Sequence, residues 1–430
     1  DSPMEAPKTV KKNWYRLDNS AKIYPAVMSR NWASMFRVSL TLKEPVDPAV
    51  LQAALEDTVR RIPTFCLSLH RGLFWYYLNA SRQRPLVEPD VANPCKKMEK
   101  GENGGYCFRV RYYRCRIAVE LFHSIADGTG AMIFLKTLAG RYLQLRGYDV
   151  VPDGEMLDCS QEPTEDEMED SHSKYAQFRH IESRREEKAY HPRMTREPAP
   201  TLHVITGLLP VAQVHERAKA LGATINEYLA GALCYAFYIR QKQERNHREY
   251  PVKISVPINM RAFYPSKTVR NFALFVNPGV DPAYGEYSFE EIVQHIHHFM
   301  RLRLNEKYLN AVLSANVGSE KNAVSRAVPL FIKNFVMSMA YRLYGESRYS
   351  ISFSNLGLTR VPPSMEPYVE RFDFMMGAQR FNSHGACAVS YGDTLAINIT
   401  STVEETDIER LFFTELVKRG IHVRIESNRD

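Results

Sequence analysis

The chain has 430 residues, more than one ordinary hydrophobic core serves, so about two domains are expected. With 44% hydrophobic, 11% aromatic and 24% charged residues, it has the composition of a soluble globular protein. Its net charge of +7 comes from 56 basic and 49 acidic residues with no basic stripe, which argues against nucleic-acid binding and leaves only a mild pull on anionic substrates.

In chain order, residues 36–42 alternate as a strand. Asp47 and Pro48 then open a helix, Asp as N-cap and Pro at the first helical position. Val50, Leu51, Ala54, Leu55, Val59 and Ile62 keep helical spacing until Pro63. Phe65, Leu67 and Leu69 mark a short strand, the Arg71-Gly72 turn follows, and residues 73–78 read as its partner. Residues 106–113 and 116–122 are two more strands, the second ending at His123. From Gly130 the pattern turns helical and stops near Gly147.

Residues 150–200 change character. Residues 153–170 hold nine acidic side chains and no Lys or Arg, and residues 174–196 are rich in basic ones. Apolar periodicity is missing, so this stretch is expected to be a surface crossover whose charge blocks pair with each other or bind a partner. The division is therefore 1–150, a first domain; 151–200, a charged linker; and 201–430, a second domain.

The second half repeats the style. Strands are expected at 202–209, 252–258, 349–353, 369–375, 386–391 and 395–400, the last two separated by Gly392-Asp393. Helices are expected at 210–221, 224–243, 289–304 and from about 404 to before 420. The order is neither alternating βαβ nor all-β, so the fold class is α+β, two sheet-and-helix layers side by side.

The seven cysteines are odd in number and widely spaced, with no C-x-x-C pair, as expected for reduced thiols in a cytoplasmic protein. No apolar run approaches the ~18 residues of a membrane span. The N-terminus, Asp1-Ser2-Pro3-Met4-Glu5, lacks a signal peptide's basic head and apolar stretch.

The chemistry is expected at His123-Ser124-Ile125-Ala126-Asp127-Gly128. A histidine at the end of a buried strand projects into a cleft, and its near-neutral pKa suits a general base. Gly128 and Gly130 permit a tight turn into the next helix. Two roles are open to Asp127: touching the ring, or pinning the loop through an arginine.

His123-x-x-x-Asp127-Gly128 in mid-chain resembles the chloramphenicol acetyltransferase-like superfamily, which includes alcohol O-acetyltransferases, plant-type BAHD acyltransferases, polyketide-associated acyltransferases and condensation domains. The likeness is greatest to the alcohol acetyltransferase-like branch. Residues 14–19 with 21–25, the run Val256-Pro257-Ile258-Asn259-Met260-Arg261 followed by Arg270-Asn271-Phe272, and Ser352-Phe353-Ser354-Asn355-Leu356-Gly357 carry it. The resemblance implies two similar domains forming a pseudo-dimer with a tunnel between them. It implies acyl transfer from an acyl-coenzyme A cosubstrate to a small-molecule alcohol, or from an acyl carrier protein to a hydroxyl or amine. His123 would be the base, with no covalent acyl-enzyme, no permanently bound cofactor and no metal. Asp127 and Gly128 would shape the loop, with Arg261 as the candidate partner of Asp127.

Ser354 and Asn355, at a strand end in a turn closed by Gly357, are candidate donors to the oxyanion or cleft residues. Phe122 stands where condensation domains carry a second histidine, which moves the chemistry from amide to ester formation. Asp373-Phe374-Met375-Met376-Gly377 is only a partial echo of the BAHD motif Asp-Phe-Gly-Trp-Gly. A catalytically silent relative that binds a ligand or protein is the reading from another class, and the intact motif argues against it. A monomer is expected. His295 and His298 share a helix face, but no further ligand stands near them in the sequence, so solvated histidines are expected there. Phe74-Trp75-Tyr76-Tyr77 is expected to be strand packing or the lining of an acceptor pocket.

Overall fold

The computed structural model describes residues 14–17, 25, 34–74, 76–81, 83–98, 102–176, 186–198, 201–244, 248–321, eight positions between 329 and 339, and 345–429. Residues 18, 19 and 21–24 of the N-terminal likeness and Trp75 lie outside these.

In the first half, strands β1 (Trp14–Arg16), β2 (Met35–Leu42), β3 (Leu67–Arg71), β4 (Tyr76–Ala80), β5 (Val87–Pro89), β6 (Phe108–Tyr113) and β7 (Arg116–Phe122) accompany helices α1 (Pro48–Arg61) and α2 (Gly128–Leu145). A short helix, α3 (Ser171–Tyr175), lies in the crossover. The second half adds β8 (His203–Pro210), α4 (Val211–Ala220), α5 (Ile225–Gln243), β9 (Val252–Asn259), β10 (Ala273–Val276), β11 (Gly279–Val280), α6 (Phe289–Arg303) and α7 (Glu306–Lys321). It closes with β12 (Ile351–Leu358), β13 (Val369–Met376), β14 (His384–Tyr391), β15 (Thr394–Ser401), α8 (Asp407–Lys418) and β16 (Arg424–Ser427).

Local chemistry places the helices where the sequence puts them. The Asp47 carboxylate accepts from the backbone N–H of Ala49 and Val50, satisfying donors that the first turn of α1 leaves open. Thr224 with Glu227, and Ser288 with Glu291, close reciprocal capping boxes at the starts of α5 and α6. Leu51, Ala54, Leu55 and Val59 form the buried stripe of α1, which packs on α2.

The strands form a three-stranded sheet, β1-β4-β3, and two large sheets. The first large sheet has the order β13-β2-β7-β6-β5. The second has β10-β9-β12-β14-β15-β8-β16, with β11 added against β9. Two hydrophobic cores accompany the large sheets, one built on β2, β7, α1 and α2, the other on α5, α6, β9 and β15.

Chain order does not divide the cores at residue 200. Strand β13 hydrogen-bonds antiparallel to β2, with Phe374 opposite Val38, so a segment from the second half completes the first sheet. Val361, Met365, Phe372 and Phe374 accordingly belong to the first core. The other face of the exchange is contact between β13 and β14 or β15.

The crossover also departs from a surface linker. Ser171 and His172 are fully buried, and Glu167 pairs with Arg61 of α1 at 2.7 Å. The acidic block thus pairs with the first domain, at Arg61 and at Lys136 through Glu155 (2.9 Å), while Lys174–Glu169 joins the two blocks. All seven cysteines are unpaired, five of them buried. No described helix is long and apolar enough to cross a membrane.

Candidate active site

His123 follows the last residue of β7, where the ladder with β2 ends at Met35 opposite Phe122. Its backbone N–H donates to the Ser34 carbonyl at 3.1 Å. Its ring packs against Phe36, centroids 4.5 Å apart. The side chain therefore leaves the sheet edge and enters a cavity of about 200 Å³ between the two large sheets.

Burial lowers the His123 pKa, and the nearby Asp127 carboxylate and the Asn271 side chain only partly oppose this. The imidazole is therefore neutral at neutral pH, the form that accepts a proton.

The Asp127 carboxylate is engaged in holding the loop. It caps α2 by accepting from Gly130 N–H at 2.9 Å. Its other oxygen accepts from Phe272 N–H at 2.9 Å and from Arg261 Nη1 at 2.7 Å. Burial pushes this carboxyl up, but Arg261 and the backbone donors outweigh it and hold it below the ordinary carboxylate range. Arg261, in the turn after β9, also donates to the carbonyls of Thr268 and Arg270. One arginine thereby ties the motif loop of the first half to residues 268–272 of the second.

The two glycines serve close approach. Neither has a positive φ. A Cβ at Gly130 would lie 1.9 Å from the Val269 carbonyl oxygen, and one at Gly128 would lie 2.9 Å from Leu356 Cδ2. The turn into α2 is present, and what it asks of these two positions is missing side-chain volume.

Ser354 and Asn355 both line the cavity, but within β12 and not in a turn after it. The strand continues to Leu358 because β14 pairs with it in parallel on both sides of an irregularity between Asn355 and Leu358. Gly357, at φ +71°, takes up that irregularity, and its N–H donates to Asn355 Oδ1 at 2.8 Å. With its oxygen engaged, Asn355 keeps amide hydrogens to offer the cavity.

The cavity lining is mixed. Phe36, Leu356, Phe374 and Met376 are apolar; Thr129, Asn259, Asn271, Ser352, Ser354 and Asn355 bring hydrogen-bonding groups. Ser352, Thr129 and Phe36 were not singled out by sequence reasoning. Ser352 stood only within a run that carries the likeness, with no role. Asn271 appeared only as part of a likeness, with no role. Among the described residues no group of three or more His, Cys, Asp or Glu side chains is placed to hold a metal. His297 instead pairs with Glu227 at 2.9 Å.

Solved structures with the same architecture span nearly the whole chain. Polyketide synthase associated protein 5 from Mycobacterium tuberculosis is 14% identical, with a TM-score of 0.58 over 96% of this chain and 98% of that one. The TRI3 trichothecene 15-O-acetyltransferase from Fusarium sporotrichioides is 13% identical, with a TM-score of 0.59 over 97% and 99%. The condensation domain from the monacolin K polyketide synthase MokA is 11% identical, with a TM-score of 0.60 over 97% of each. No protein-family profile and no curated protein sequence matches the chain. The chain adopts the chloramphenicol acetyltransferase-like fold, an α+β arrangement shared by acetyltransferases and condensation domains.

Proposed function

We propose that the protein is an acyltransferase that moves an acyl group, acetyl or another short one, from a coenzyme A thioester to an alcohol, with His123 as general base. The observation that carries this reading is a neutral, cavity-facing imidazole whose loop is clamped by the Asp127–Arg261 pair. The similarity to an O-acetyltransferase and to condensation domains supports it at the level of fold.

The step follows from the groups present. His123 takes the acceptor's hydroxyl proton as the oxygen attacks the thioester carbonyl. Negative charge then develops on the carbonyl oxygen, where the Ser354 hydroxyl and the Asn355 amide are the donors on the facing strand. Collapse breaks the carbon–sulfur bond, and the thiolate takes the proton back from the imidazolium. Asp127, Gly128 and Arg261 hold the loop and touch no reacting atom. A direct transfer needs no nucleophilic side chain.

The test crosses several acyl-coenzyme A donors and one acylated carrier protein with pooled alcohols and amines, and follows free thiol and product mass. Ester formation from free acyl-coenzyme A, with no acyl adduct on the protein, is expected. The rate should rise as pH climbs through the His123 pKa, below its ordinary 6.5, and be level by neutrality. Transfer only from the carrier protein would assign the donor to the condensation-type relatives; no thiol release from any pair would leave a binding protein.

A further inference from the structure

A neutral histidine always carries one lone-pair nitrogen, and which of the two it is depends on the groups that hold the ring in place. Asp127, the obvious candidate for that duty, is spent elsewhere: its oxygens serve Gly130, Phe272 and both terminal nitrogens of Arg261. The group that grips His123 is the amide of Asn271. Its Nδ2 donates to the His123 carbonyl at 2.9 Å, and its side chain lies buried on the cavity wall, 4% exposed. That amide and the His123 carbonyl it holds both lie close to the imidazole, where they partly offset the effect of burial on its pKa.

We propose that Asn271 is the positioning residue that orients the His123 imidazole and fixes which ring nitrogen offers its lone pair to the acceptor. Its own placement is rigid. Phe272 N–H is bound by Asp127, and the Arg270 and Thr268 carbonyls are bound by Arg261. From behind, Val269 N–H donates to the Glu167 carbonyl at 2.9 Å, and Thr268 Oγ1 donates to the Glu169 carbonyl at 2.8 Å. The crossover therefore seats the loop that carries the amide. An amide does this work without adding charge. A carboxylate in its place would stabilise the imidazolium and raise the pKa of the base.

The purpose of this orientation rests on the acyl-transfer reading; the orientation itself is measurable without substrate. Protein labelled with ¹⁵N-histidine is titrated, and the His123 ring signals, assigned by their loss in His123→Gln, are read for tautomer and pKa. Wild type should show one tautomer. Asn271→Asp, which keeps the shape of the side chain, should raise the His123 pKa by about one unit or more and move the acid limb of kcat/KM with it. Asn271→Ala should mix the tautomers and lower kcat by roughly 10- to 100-fold with little change in KM. An unchanged tautomer in Asn271→Ala together with an unmoved pKa in Asn271→Asp overturns the proposal. Loss of kcat with unchanged ring signals also counts against it, because the role is then structural. If Asn271→Ala does not fold, Asn271→Asp decides alone. Ring signals that respond as expected in a protein that transfers no acyl group would sustain the positioning and refute the acyltransferase reading.

Discussion

At the scale of single residues, the site turns on a division of labour between two acidic-motif neighbours. His123 stays neutral because burial penalises its charge, while Asp127 stays charged because Arg261 and two backbone donors compensate its burial. Removing the charge of Asp127 leaves the Arg261 guanidinium unpaired. Asp127→Asn is therefore expected to lose about 2–4 kcal/mol of stability, read in urea unfolding. Turnover should fall more than the loss of folded protein explains, because Phe272 and the Asn271 loop lose their anchor. Arg261→Ala should match it, and the double variant should cost little more than either alone, since the two act as one unit. His123 was legible from its place between a strand and a helix, and Arg261, as the partner of Asp127, from the resemblance. Asn271 was not, because nothing in local spacing says that a loop 148 positions away hydrogen-bonds to the His123 carbonyl.

Elements built on short-range chemistry follow the sequence closely. Asp47-Pro48 announces a helix start that the structure contains, and the helices expected from 224 and 289 begin at capping boxes, Thr224 with Glu227 and Ser288 with Glu291. Elements whose limits are set by partners do not. Strand β12 outruns its expected end because β14 lies alongside it, and the crossover buries Ser171 and His172 against Ser266, Phe272 and Ala273, before and at the start of β10. The start of α2 belongs to the second kind. Gly130 sits where the helix meets the Val269 carbonyl, so Gly130→Ala must push helix and loop apart. Despite the better helix propensity of alanine, a destabilisation of about 1–3 kcal/mol is expected. The outward shift should also appear as faster amide exchange at Val269 and Phe272, whose N–H groups bond to Glu167 and Asp127. A variant as stable as wild type would mean that the two elements do not touch as described.

For the whole molecule, the exchange of β13 decides how the halves cohere. The α+β class and the two layers were legible from the order of periodic segments. The destination of residues 369–376 was not, since an alternating strand reads the same whichever sheet receives it. Without β13, β2 is left as an open edge and Phe372 and Phe374 are missing from the first core. Residues 1–200 expressed alone should therefore aggregate or stay unfolded, and co-expression with 201–430 should restore a soluble complex. A stable, monomeric 1–200 fragment would contradict the exchange. The exchange also bears on function, because Phe374 and Met376 of β13 line the cavity that His123 enters and so bring both halves to it. The central claim is that His123 is the proton acceptor there, and thiol release by His123→Ala tests it most directly. With the variant folded to the wild-type melting temperature, release from the best donor and acceptor pair should fall by about 10²- to 10⁴-fold. Turnover within a few fold of wild type would remove His123 from the mechanism.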